Sequence, residues 1–253
     1  MKKFNNSFKN ILGALEAPIT FSLVLTFFEG IMEIFEVKSF LFLDRTEIVF
    51  LSSYLLLFIY FFPKYKKLSN DKNKSNKKLD LSKLIKCFII GGLFSIIFNI
   101  CIQYVLNIIL KQDIITTTSG MRFSIIYLLI VCILGPCIEE LCYRGMMFKT
   151  LDKKFSLNSI VVFSSLIFAL SHYSSFGNVL YAFILGVFMM LLYIKNKSLL
   201  YSILFHMGAN IASTFMGLFP SPSISNMIIY LFILFLSTCV CIFMLIKNKK
   251  MFL

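Results

Sequence analysis

Runs of about twenty apolar residues separated by short polar stretches repeat along this chain, and about twenty residues is the helix length that crosses roughly 30 Å of hydrocarbon. Eight runs can be marked, near residues 11–35, 46–62, 84–110, 123–148, 157–173, 178–194, 199–217 and 226–246. The pattern predicts an all-α fold: a polytopic membrane helix bundle of about eight transmembrane helices. The first run follows a basic Met1-Lys2-Lys3 start. It is too long for a signal-peptide core, contains Glu16 and Glu29, and shows no small-x-small cleavage site, so it is expected to be a retained helix.

Composition agrees. The chain is 58% hydrophobic and 16% aromatic with a mean hydropathy of +0.86, which excludes an ordinary soluble domain, where roughly 45–50% apolar residues is usual.

A net charge of +13 raises nucleic acid as a partner, and the distribution of that charge argues against it. With a cytoplasmic N-terminus, the inside segments 1–10, 63–83, 149–156, 195–198 and 247–253 hold 19 Lys and Arg residues. The outside segments hold only Lys38, Arg45, Lys111 and Arg122. The positive-inside rule therefore predicts an N-in/C-in arrangement in the cell membrane, with the bilayer as partner and no nucleic acid. The lysine-rich stretch 63–83 reads as a solvated cytoplasmic connector. It divides the chain into a two-helix part, 1–80, and a six-helix remainder, 81–253. The seven cysteines are scattered, mostly within apolar runs, and read as small buried hydrophobes without disulfide or thiolate-metal spacing.

Ionisable groups at bilayer depth cost a few kcal/mol each on insertion scales, so each invites a functional question. The only two histidines, His172 and His206, both lie in apolar runs, and Glu139, Glu140 and Arg144 share a third. Residues four apart share a helix face while neighbours are turned by about 100°. Glu140 and Arg144 are thereby face partners in the favourable N-to-C order. Glu139 points elsewhere, and a carboxylate in a partly dry site suits a proton acceptor. The competing reading of the cluster is a polar zip between helices, which needs only one acid. His206 and Asn210 share a face of the seventh run as a donor pair, with Gly208 between them letting a helix or substrate approach. Phe168, one turn before His172, is able to pack on its ring. Pro136 should bend the fourth helix just before Glu139. Asn99, Gln103 and Asn107 form a stripe on the third run, read as interhelical hydrogen bonding, and Glu29, Glu33 and Glu36 near the outer surface are assigned no chemistry.

In order, Glu139-Glu140-x-x-x-Arg144, Phe168-x-x-x-His172 and His206-x-x-x-Asn210 resemble the motifs of the CAAX-protease and bacteriocin-processing (CPBP, Abi) family of intramembrane peptidases, over roughly residues 80–246. The resemblance implies that Glu139 and His172 activate a water that attacks a peptide carbonyl. His206 and Asn210 would stabilise the oxyanion, and Glu140, Arg144 and Phe168 would support the site. It implies a membrane-associated peptide or protein as substrate, either a prenylated tail or a small precursor. Zinc is a second reading, with His172, His206 and Glu139 as ligands. The absence of H-E-x-x-H, and Asn210 being a poor zinc ligand, favour a reaction without a cofactor. A non-catalytic immunity or scaffold factor is the alternative to an enzyme. Counting from the cytoplasmic ends puts His206 about 11 Å and His172 about 24 Å deep, so the hairpin at 173–178 is expected below the outer surface, between tilted helices.

Overall fold

Serines begin three of the helices. Ser124, Ser156 and Ser175 lie in extended conformation, and each side-chain oxygen accepts the amide three residues on, from Tyr127, Ser159 and Asn178. The computed structural model describes residues 2–69, 80–110, 124–152, 154–216 and 227–247. Within them run α1 (Lys2–Ile34), a hairpin of β1 (Ser39–Phe40) and β2 (Leu43–Asp44), α2 (Arg45–Ser69), α3 (Leu81–Leu110), α4 (Ile125–Leu151), α5 (Leu157–Leu170), α6 (Phe176–Asn196), α7 (Leu199–Met216) and α8 (Met227–Lys247). The protein is an all-α, multi-pass membrane bundle, and six of the described helices are long and apolar enough to cross a bilayer. Helix α5 has 14 residues, a rise of about 21 Å, which is short of roughly 30 Å of hydrocarbon. The middle of the lysine-rich stretch, 70–79, and the expected outer segments 111–122 and 218–225 lie outside the described residues.

The chain forms two compact units, each drawn from two segments. The first comprises Met1–Lys78 and Phe123–Ser171 and contains α1, α2, α4 and α5. Ion pairs at both ends show α1 and α2 running antiparallel. Arg45 Nη2 lies 2.7 Å from Glu29 Oε1 and 2.8 Å from Glu33 Oε2, and Lys64 Nζ lies 2.6 Å from Glu16 Oε1. Glu29 and Glu33, expected to be merely solvated, thus hold Arg45 at the start of α2. Helix α2 continues through Pro63 to Ser69, past the end of its apolar run at 62. Tyr60 and Lys64, one turn apart, both bond Glu16 of α1, so polar contacts carry the helix on beyond the apolar residues.

The N-termini of α2 and α4 share one buried carboxylate. Glu47 and Asp44 make a reciprocal cap, with the Glu47 amide on Asp44 Oδ1 at 2.9 Å and the Asp44 amide on Glu47 Oε2 at 3.0 Å. The other oxygen, Glu47 Oε1, accepts the hydroxyl of Ser124, whose own oxygen caps α4.

The second unit, Leu79–Arg122 and His172–Leu253, contains α3, α6, α7 and α8, with α3 packed on α7, α6 and α8. Phe94 of α3 stands at its centre, its ring 4.3 Å from Phe98, 4.7 Å from Phe188 and 5.6 Å from Phe205. Of the Asn99, Gln103 and Asn107 stripe, the described side chain, Asn99, bonds between helices as expected. Its Nδ2 donates to Ser95 Oγ and to Ser213 Oγ of α7, each at 3.1 Å. Tyr181 of α6 donates to the same Ser95 oxygen at 3.0 Å, so one polar cluster joins three helices.

Candidate active site

Helix α4 carries the two glutamates on an ordinary α-helical turn, Gly135–Glu140, set between two wide turns of π-helical form. The first spans Ile130–Leu134, where the Gly135 amide reaches back five residues to the Ile130 carbonyl. The second spans Leu141–Met147, closed by the Phe148 amide on the Tyr143 carbonyl. The sequence predicted a bend at Pro136. The backbone meets the missing proline donor with a wide turn immediately before it, and such turns gather at functional sites.

Glu140 and Arg144 are completely buried and form the expected pair, with Arg144 Nη1 2.9 Å from Glu140 Oε1. The guanidinium also stacks on Phe168 of α5, its carbon 4.8 Å from the ring centroid. Phe168 therefore supports Arg144 directly, a contact that the spacing to His172 did not suggest. Tyr143 meets the same ring edge-on, with centroids 5.1 Å apart at 88°. Charge, cation–π and aromatic contacts thus converge on one buried cluster within the first unit. Half-buried Glu139 lies in that unit as well, one residue before Glu140 near the middle of α4.

His172 does not lie in a helix. Helix α5 stops at Leu170, Ser171 caps it by donating its hydroxyl to the Phe168 carbonyl at 2.7 Å, and residues 171–174 form a turn. The apolar run reaches 173, but the Ser-His-Tyr-Ser-Ser sequence offers side-chain hydroxyls that compete for backbone groups and end the helix earlier.

His206 is buried and Asn210 half-buried on α7, four residues apart and on one face. Gly208 between them does admit a neighbouring helix, namely α3. A Cβ built on Gly208 would stand 2.0 Å from the Phe88 carbonyl oxygen, and one on Gly91 would stand 2.0 Å from that of Phe205. Small residues let two membrane helices approach backbone to backbone. The counterpart of Gly208 is Gly91, which the sequence signals only through the Gly91-Gly92 pair inside an apolar run. Gly208→Ala is expected to lower stability by about 1–3 kcal/mol, because carbonyl backbone rather than a movable side chain must yield. Gly92→Ala serves as the control. Its new methyl meets only an ordinary contact at 3.4 Å, so its thermal unfolding in detergent should match the parent. Equal melting of both variants would remove the close crossing.

The candidate residues thus fall into two sets: Glu139, Glu140, Arg144 and Phe168 in the first unit, and His172, His206 and Asn210 in the second. Within either unit, the described residues bring no three His, Cys, Asp or Glu side chains together as a metal-ligand group. Of the three residues considered as zinc ligands, the second unit holds the two histidines and the first the carboxylate.

Comparison with known proteins agrees with the motifs. Residues 121–212 match the family model described as type II CAAX prenyl endopeptidase Rce1-like. A curated relative, the membrane-embedded CAAX protease MroQ of Staphylococcus aureus (strain USA300), is 30% identical over 154 residues. That alignment covers 55% of this chain and 62% of the relative, so the chain spans less than two thirds of the relative's length. No solved structure matches the chain. The stretch 121–212, which carries all three polar motifs, is thus similar to the CAAX-type membrane proteases.

Proposed function

We propose that the chain is an intramembrane endopeptidase that hydrolyses a peptide bond in a membrane-associated peptide or protein. The observation that carries this reading is the family match over one stretch holding both histidines of the chain and the Glu-Glu-x-x-x-Arg motif. Glu139 acts as general base, taking a proton from a water that His172 helps orient as it attacks the carbonyl carbon. The tetrahedral oxyanion that forms accepts hydrogen bonds from His206 and Asn210, and the proton returns to the leaving amine. Glu140 neutralises Arg144, and Phe168 holds the guanidinium, so this part of α4 keeps one orientation without an uncompensated charge. The relative's name makes a CAAX-type tail one substrate class. A small membrane peptide precursor is the other.

No step is routed through a metal. Purified protein should accordingly cleave a quenched reporter peptide after exhaustive chelation. Asn210→Ala should lower kcat by about 10²–10³ with little change in KM, since an oxyanion donor acts in the transition state. Stoichiometric zinc lost together with activity, and restored with it, would overturn the metal-free reaction. Slow, partial inhibition by an apolar chelator would not, because such a molecule is able to occupy an apolar site without touching a metal.

A further inference from the structure

Tyr143 is part of no motif discussed so far, yet its side chain is only 1% exposed and its hydroxyl has a definite partner. The Tyr143 Oη donates to Ser171 Oγ at 3.1 Å, and the Ser171 hydroxyl donates in turn to the Phe168 carbonyl at 2.7 Å. This relay closes the C-terminal end of α5 from the side of α4. The Tyr143 ring is itself wedged, edge-on against Phe168 and flanked by the Arg144 guanidinium, whose carbon is 5.9 Å from its centroid.

Ser171 immediately precedes His172, and Tyr143 lies four residues after Glu139 on α4. We propose that Tyr143 is a positioning residue for His172: by holding Ser171, it fixes where the turn bearing His172 begins. A phenol suits the task. The ring is rigid and packed, so only its hydroxyl has to find a partner, and Ser171 accepts that bond while giving its own proton to the Phe168 carbonyl in the last turn of the helix. The bond is made inside the protein, so it persists without substrate and sets the turn in advance. The catalytic consequence rests on the peptidase reading; the structural tie does not.

The test exploits a chain with only two histidines. Full-length protein labelled with ¹³C,¹⁵N-histidine in nanodiscs gives two imidazole signals, assigned by His172→Gln and His206→Gln. Tyr143→Phe keeps the ring and loses the hydroxyl. It should shift or broaden the His172 signal while leaving that of His206 in place, with thermal unfolding close to the parent. Ser171→Ala should do the same, the double variant should add nothing to either single one, and Ser171→Thr, which retains a hydroxyl, should restore the parent spectrum. On a reporter peptide, Tyr143→Phe should lower kcat by roughly tenfold to 10²-fold with KM unchanged, in line with the cost of a small misplacement. Unchanged His172 signals in both Tyr143→Phe and Ser171→Ala overturn the proposal, and should Tyr143→Phe fail to fold, Ser171→Ala decides alone. Failure of the parent protein to cleave any reporter or membrane peptide would remove the peptidase reading and leave the tie standing, so the two failures are distinguishable.

Discussion

Replacing Glu139 by glutamine is expected to lower peptide hydrolysis by about 10²–10⁴ while abundance in the membrane stays at the parent level. Glutamine keeps the size and polarity of the side chain but cannot take a proton, so the loss reads the base rather than the packing. Glu139 is half-buried, whereas its neighbour Glu140 is completely enclosed, and an isosteric change at the more open position leaves the buried pair undisturbed. Initial rates on a quenched reporter peptide in proteoliposomes, with immunoblots of the same membranes, make the comparison. Parental rates in Glu139→Gln would withdraw the base assignment. A phenotype that also survives Glu139→Ala would favour the non-catalytic alternative, an immunity or scaffold factor.

Arg144→Ala should be the most destabilising single change in the first unit, costing about 3–5 kcal/mol, because it strands the Glu140 carboxylate at a fully buried position and strips the face of Phe168. The pair as a whole is a different quantity. Replacing both charges together, as in Glu140→Met with Arg144→Met, should recover much of the loss, since the cost lies in the uncompensated charge rather than in the missing bond. Thermal unfolding in detergent and steady-state abundance report both effects. Unchanged melting of Arg144→Ala combined with complete loss of turnover would instead move Arg144 into the catalytic set.

The sequence revealed most where geometry is local. Run length announced a multi-pass bundle, and the spacing of four between Glu140 and Arg144 gave their contact directly. Asn99 was legible for the same reason that a polar side chain in an apolar helix must find a partner. The misses are long-range or depend on helix form. Nothing in the order of residues says that Gly91 meets the Phe205 carbonyl, that Ser124 shares its hydroxyl with Glu47, or that Arg144 rests on Phe168. His172 was drawn into a helix because hydropathy counts a short Ser-His-Tyr-Ser-Ser stretch as a small dip, while the backbone treats its hydroxyls as competitors. Tyr143 escaped notice because its role depends on Ser171, distant in sequence.

The two wide turns of α4 also make the length of this helix matter in its own right. Each takes up one residue more than an ordinary turn, so every side chain beyond it faces a direction that a uniform helix would not give. Were the turn at 130–134 to close to the common form with no residue removed, Glu139 and Glu140 would swing together to a different side. Closure of the turn at 141–147 would leave both glutamates where they are and turn the residues after it away from their partners. The two wide turns therefore act as a phase setting for the helix, and a one-residue deletion within either should be absorbed by closing it, whereas a deletion elsewhere in α4 should not.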